Sequence, residues 1–130
     1  MILFTSDLLF GSKILGAAKH AGLRGQGVRN RASLSQHAPQ ASHYFLDLEA
    51  DLSEGESAEE LLDAALGHPN LCVFAFAGHL QGERLRAAHA RLSAAGARHQ
   101  VHSRGSLHGK LVEILPPAPA APAARPPEER

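Results

Sequence analysis

The sequence predicts a doubly wound α/β domain, in which helices cover both faces of a five-stranded parallel sheet in a three-layer sandwich. Two observations support this fold class. Short apolar runs alternate five times with segments of helical periodicity between residues 1 and 115, which is the pattern of a repeated strand–helix unit. The run "LCVFAFA" at 71–77 is apolar throughout, as expected of a strand buried on both faces of a parallel sheet.

The first half of the chain contains three predicted strands. "MILFT" at 1–5 has the length and composition of a buried strand. A helix follows, because apolar residues recur there at helical spacing and Gly22 provides a natural stop; Ser6 and Asp7 stand where its N-cap belongs. "LRGQGV" at 23–28 predicts a second, short strand, and the polar stretch 29–40 is compatible with a short helix. "HYFLDL" at 43–48 predicts the third strand.

The second half continues the alternation. "SAEE" at 57–60 is a capping box that opens a helix, which Gly67 and Pro69 close. "LCVFAFA" is the fourth strand, and the helix after it ends at Gly96. "HQVHS" at 99–103 predicts the fifth strand, and Leu107, Leu111 and Ile114 predict a final helix.

Composition excludes several classes of function. The formal net charge is +0 among 130 residues, which removes a global electrostatic case for binding nucleic acid or an anionic membrane. Cys72 is the single cysteine, so disulfide frameworks are excluded and a reducing cytoplasm is expected. No apolar stretch is long enough to cross a bilayer. Residues 116–130 are rich in proline and alanine, which predicts one domain over 1–115 and a disordered tail.

Polar residues collect where the predicted strands end. Asp7 follows the first strand, Asp47 lies at the end of the third, Gly78 follows the fourth, and Ser103 with Arg104 ends the fifth. In open parallel sheets, the site lies at the carboxyl ends of the strands, near the point where the strand order reverses. These positions are therefore the candidate functional site.

"ILFTSD" and "YFLDLEA" resemble the first and third strands of the receiver domain of two-component response regulators, and the resemblance covers 1–115. It implies a flavodoxin-like sheet with strand order 2-1-3-4-5. It also implies that Asp47 accepts a phosphoryl group, that Asp7 and Asp47 hold Mg²⁺, and that Arg104 and Gly78 bind the phosphate. The chemistry is coherent, because a carboxylate nucleophile needs a hard cation to neutralise the phosphoryl oxygens.

The chain departs from the receiver pattern at three strand ends. Ser6 precedes a single Asp7 where receivers carry paired acids. "FAFAGH" offers Ala77 and Gly78 in place of the hydroxyl residue of the fourth strand, and "VHSRG" offers Arg104 in place of a lysine that is followed by proline. Arginine does not replace lysine freely. These departures predict a degenerate member, a pseudo-receiver.

Other interpretations of the same residues stay open. Asp47 is also explained as a strand-end carboxylate that caps the following loop, and Asp7 as a helix N-cap. The acids that follow Asp47 lack calcium-loop spacing, so a solvated helix face is expected for them. This cluster comprises Glu49, Asp51, Glu54, Glu56, Glu59, Glu60 and Asp63.

The predicted function is signalling through protein contacts, without enzymatic activity. A stand-alone receiver-like domain would bind a histidine kinase or a downstream regulator. The basic range 84–110 and the acidic third helix would dock to a charged partner, and the basic range could also form a homodimer. The alternative is a domain that binds a small ligand or nucleotide in the strand-end crevice without phosphotransfer.

Overall fold

The computed structural model describes residues 1–50 and 56–118. In this part of the chain, five strands and five α-helices alternate, with one 3₁₀ turn after the second helix. The strands are β1 (Ile2–Phe4), β2 (Gln26–Gly27), β3 (His43–Asp47), β4 (Cys72–Ala77) and β5 (Gln100–Ser103). The helices are α1 (Leu8–His20), α2 (Arg31–His37), α3 (Ala58–Leu66), α4 (Gly82–Ala95) and α5 (Arg104–Ile114).

The strands form one parallel sheet in the order β2-β1-β3-β4-β5, which confirms the predicted flavodoxin-like fold. The order reverses between β1 and β3, where Phe4 pairs with Leu46. On its other side, β3 pairs with β4, so that Asp47 is opposite Phe76. The carboxyl end of β3 therefore lies at the centre of the sheet, beside the switch point where ligands bind in this architecture.

Alternating side chains of the central strands enter two separate cores. Tyr44 and Leu46 pack on one face, under α2, α3 and α4. Phe45 and Phe74 point to the other face, where α1 and α5 cover them, and their ring centroids are 5.0 Å apart. Full burial contributes roughly 1.5–3 kcal/mol for each such side chain. The two-sided burial explains why the strand sequences are apolar without alternation.

Helix caps fix where the helices begin. Ser57 and Glu60 form the predicted capping box of α3, with Glu60 N–H donating to Ser57 Oγ over 3.2 Å. Asp7 caps α1, as predicted, by accepting from Phe10 N–H at 3.0 Å. Ser103 caps α5 by accepting from Ser106 N–H at 3.2 Å. The caps at Asp7 and Ser103 place a strand end close to a helix start, at the edge that carries the candidate site.

After α5, the described chain returns to the C-terminal end of α1. After α5, Leu115 is buried and residues 116–118 have no regular secondary structure. Ala118 N–H donates to His20 O over 3.1 Å. The rest of the predicted tail, 119–130, lies outside the described residues, so the domain boundary stays a prediction. Among the helices that are described, none combines the length and the apolar character needed to span a membrane.

Candidate functional site

Asp47 is a buried carboxylate at the end of the central strand, with 2% of its surface exposed. Its Oδ2 accepts a hydrogen bond from Thr5 Oγ1 at 2.7 Å. Its Oδ1 accepts from Glu49 N–H at 2.9 Å. The bond to Glu49 confirms that Asp47 caps the loop that follows β3. Both carboxylate oxygens therefore have donors from within the protein.

Thr5 and Asp7 bring the end of β1 against Asp47. The Thr5 hydroxyl donates to Asp47 and also accepts from Asp7 N–H at 3.1 Å. One oxygen of Asp7 is used by the α1 cap, and the other, Oδ2, lies 3.5 Å from Arg104 Nε. The N-cap interpretation of Asp7 is confirmed, and the same side chain also forms part of the pocket.

Arg104, the first residue of α5, contacts three carboxylates. Its Nη2 is 3.4 Å from Asp47 Oδ2 and 3.5 Å from Glu49 Oε1, and its Nε is 3.5 Å from Asp7 Oδ2. Its Cζ lies 5.8 Å from the ring centroids of both Phe10 and Phe76, a geometry in which an aromatic face attracts a guanidinium. The guanidinium group thus lies between the three carboxylates and the rings of Phe10 and Phe76.

Glu49 joins the pocket to the loop after β4. Gly78 N–H donates to Glu49 Oε1 over 2.7 Å, so the predicted phosphate-binding N–H of Gly78 has a partner within the chain. Glu49 is exposed, as expected of a solvated acid, but it precedes α3 and contacts Gly78 and Arg104 instead of lying on the helix face. The expectation of a solvated helix face holds for Glu59, Glu60 and Asp63, which are exposed on α3. Asp51 and Glu54 lie outside the described residues.

The pocket's donor set suits a hard cation, but its arrangement does not fit a resident magnesium ion. Carboxylate oxygens are the ligands Mg²⁺ prefers, and Asp7, Asp47 and Glu49 supply them. All three, however, contact the Arg104 guanidinium within 3.5 Å. In the part of the chain that the structure describes, no group of three or more potential metal ligands is placed to hold an ion. The cation that Asp7 and Asp47 share here is an arginine.

The positions that depart from the receiver pattern have structural roles. Ala77, at the end of β4, is fully buried and has no hydroxyl group to offer the site. Ser103 has its hydroxyl at the N-cap of α5. Neither residue supplies a free polar group to Asp47.

An open cavity of about 550 Å³ lies beside the pocket, between the start of α1 and the start of α5. Basic and apolar side chains line it together: Lys13, His79 and His108 with Leu9 and Phe10. Asp7 and Arg104 form its border with the carboxylate pocket. This cavity is the strand-end crevice that the small-ligand alternative requires.

The predicted basic surface is largely engaged within the chain. Arg84 donates to Leu48 O over 2.9 Å, and Arg98 donates to Leu71 O over 3.2 Å. Arg91 forms a bidentate ion pair with Asp63 that joins α4 to α3. With Arg104 in the pocket, four of the guanidinium groups in 84–110 have internal partners. A docking or homodimer surface there stays a prediction.

Comparison by sequence identifies no relative. No family model matches the chain, and no curated protein matches it.

The fold is shared with receiver domains. The receiver domain of NtrX from Brucella abortus matches with a TM-score of 0.66 and 16% identity, over 87% of this chain and 92% of that one. A longer NtrX chain matches equally well, with a TM-score of 0.65 and 16% identity over 87% of this chain, which spans 25% of that chain's length. A CheY-like receiver domain from Methanospirillum hungatei JF-1 matches with a TM-score of 0.58 and 14% identity, over 88% and 90% of the two chains.

These likenesses establish that the chain has the receiver fold, as the two strand sequences predicted. At such low identities they do not extend to the chemistry of Asp47. The phosphoacceptor role of Asp47 and the phosphate-binding roles of Arg104 and Gly78 stay predictions.

Proposed function

We propose that this chain is a receiver-type regulatory module that acts in the cytoplasm by binding another protein, and that Asp47 does not take a phosphoryl group. The partner would be a histidine kinase or a downstream regulator. The observation that carries the proposal is the state of Asp47. The resemblance to receivers would make Asp47 the phosphoacceptor, yet its two oxygens accept hydrogen bonds from Thr5, Glu49 N–H and Arg104.

Phosphoryl transfer to a carboxylate needs an accessible oxygen and a cation that can neutralise the phosphoryl oxygens. Asp47 Oδ2, the oxygen nearest Arg104, already accepts from Thr5 at 2.7 Å. The side chain of Asp47 is 3% exposed, which leaves little room for attack on a phosphodonor. The pocket therefore favours a fixed regulatory state over a phosphorylation cycle.

Exposed leucines around the site support action through protein contact. Leu8 and Leu9, at the start of α1, are 84% and 80% exposed, and Leu80, in the loop after β4, is 85% exposed. Leu9 lines the same cavity as His79, the neighbour of Leu80 in sequence. Apolar side chains gathered at one edge of a domain are typical of interaction surfaces.

Intact-mass measurement tests the proposal directly. The chain is incubated with Mg²⁺ and acetyl phosphate, beside an active receiver domain as positive control and the Asp47→Asn variant as negative control. We expect the mass of the native chain to stay unchanged, because both oxygens of Asp47 already accept hydrogen bonds and the neighbouring cation is the side chain of Arg104. A gain of one phosphate that Asp47→Asn lacks would instead make Asp47 a working phosphoacceptor.

The second candidate function is binding of a small ligand or nucleotide, and the cavity beside the pocket favours it. Its lining combines Lys13 and two histidines with an apolar wall, which suits a ligand with an anionic group and an apolar part. A thermal-shift screen with nucleotides and small anions separates the two candidates. Stabilisation that is lost in Lys13→Gln would support the ligand site, and uniformly unchanged melting temperatures would remove it.

A further inference from the structure

We infer that Arg104 is the resident cation of the carboxylate pocket: its guanidinium takes the electrostatic place of a divalent ion and keeps such an ion out. The inference concerns the site of the proposed function and rests on it for its regulatory meaning. The carboxylates of Asp7, Asp47 and Glu49 share one cation, and that cation is the chain's own Arg104 side chain.

The three acids reach Arg104 from separate parts of the fold. Asp7 comes from the start of α1, Asp47 from the end of β3, and Glu49 from the loop after β3. Each has a carboxylate oxygen within 3.5 Å of a guanidinium nitrogen. One positive charge faces three negative charges, so the cluster carries a formal charge of −2. Such a cluster attracts a cation, and it would attract another one if the Arg104 guanidinium were removed.

The start of α5 and two aromatic rings position the guanidinium, in addition to the three carboxylates. Arg104 begins α5, whose position is set by the Ser103 cap. The aromatic rings of Phe10 and Phe76 lie under its Cζ at 5.8 Å. A planar guanidinium can lie on aromatic rings and present its edge to carboxylates, whereas a lysine ammonium is a point charge. The pocket is therefore built for arginine, and its shape explains how one residue meets all three acids.

The acids differ in their access to solvent. The side chain of Asp47 is 3% exposed, whereas the side chains of Asp7 and Glu49 are 38% and 30% exposed. An ion arriving from solvent would therefore meet Asp7 and Glu49 first and Asp47 last. When Arg104 is replaced by an uncharged residue, these carboxylates offer hard oxygen ligands without the guanidinium that contacts all three of them.

Manganese binding tests the inference, because Mn²⁺ prefers the same oxygen ligands as Mg²⁺ and its free ion gives a spectroscopic signal that disappears on binding. We expect Arg104→Gln to bind one Mn²⁺ at least about tenfold more tightly than the native chain, since a charge a few ångströms from the ligands has been removed. Adding Asp47→Asn to this variant should abolish the gain, and excess Mg²⁺ should compete for the site.

Arg84→Gln is the matched control. Arg84 also donates to the loop after β3, but its partner is the backbone carbonyl of Leu48. Loss of that guanidinium removes the same charge from the same region without uncovering a carboxylate. We therefore expect Arg84→Gln to bind Mn²⁺ no more tightly than the native chain. Equal gains in Arg84→Gln and Arg104→Gln would reduce the effect to net charge and overturn the inference.

Two further outcomes also decide the question. If the native chain binds Mn²⁺ as tightly as Arg104→Gln does, and Asp47→Asn loses this binding, Arg104 does not exclude the ion.

If Arg104→Gln does not unfold cooperatively, and so is not properly folded, Arg104→Lys takes its place. Lysine keeps the charge but not the planar guanidinium, whose Nε meets Asp7 while its Nη2 meets Asp47 and Glu49. Mn²⁺ should therefore bind this variant more tightly than the native chain, and equal binding would contradict the inference. Phosphorylation of the native chain at Asp47 would overturn the proposed function. If Arg104→Gln binds Mn²⁺ no more tightly than the native chain, only this inference is overturned.

Discussion

At the scale of the residue, Thr5 joins the ends of β1 and β3 through one hydroxyl group. It donates to Asp47 at 2.7 Å and accepts from Asp7 N–H at 3.1 Å. Thr5→Val keeps the shape of the side chain and removes both bonds, which leaves a buried carboxylate with one donor fewer. We expect a loss of about 1.5–3 kcal/mol in the free energy of unfolding, the range for hydrogen bonds to charged groups.

Urea unfolding measures this loss, and Thr5→Ser is the control. Serine keeps the hydroxyl and removes only the methyl group, so it should cost clearly less than valine. Equal losses in the two variants would show that packing of the methyl group matters here and that the bond to Asp47 contributes little.

The sequence predicted the site only in part at this scale. Asp7 and Asp47 were identifiable because each ends an apolar run, and parallel strands bring such ends to one edge. Thr5 and Glu49 were missed, because their roles depend on the register of β1 beside β3 and on the path of the loop after β3. The available signals were a strand-end threonine and an acid two residues beyond Asp47, and neither signal shows which way the side chain points.

At the scale of the element, the start of α3 depends on two reciprocal bonds. Ser57 N–H donates to Glu60 Oε1 over 3.1 Å, and Glu60 N–H donates to Ser57 Oγ over 3.2 Å. Ser57→Ala should lower the free energy of unfolding by about 1 kcal/mol, because it leaves a donor of the first turn without its cap. Ser57→Asp should retain most of the stability, since aspartate caps equally well. Thermal unfolding of the three chains decides the matter, and an Ala variant as stable as the Asp variant would contradict it.

The same elements explain why the fold was predictable while Arg104 was not fully understood. Capping boxes and glycine stops are local signals, so α3 was located from "SAEE" and Gly67. Burial of β4 on both faces was visible in its unbroken apolar run. Arg104 was placed correctly at the end of β5 and predicted to meet a phosphate. Its long side chain can point several ways, however, and only the packed structure shows that it lies among the acids.

At the scale of the whole molecule, two cores on opposite faces of one sheet couple the parts of the domain. The central strands contribute to both, with Tyr44 in one core and Phe45 in the other. The carboxylate pocket lies at the end of these strands and is tied to α1 and α5 through Asp7 and Arg104. A substitution in the pocket therefore removes contacts made by α1 and α5, which share one face of the sheet.

Tyr44, the single tyrosine of the chain, reports on the integrity of the whole fold. Its side chain is fully buried, and burial raises the pKa of Tyr44 well above the ordinary value of about 10. The unfolded chain releases this proton at lower pH than the folded chain does, so stability falls as pH rises above about 10. Tyrosinate absorbance should therefore appear together with the loss of far-ultraviolet circular dichroism. Tyr44→Phe removes the ionisation and should unfold at higher pH. Tyrosinate that forms near pH 10 in a chain with native circular dichroism would show that Tyr44 is open to solvent, and with it the core beneath α2, α3 and α4.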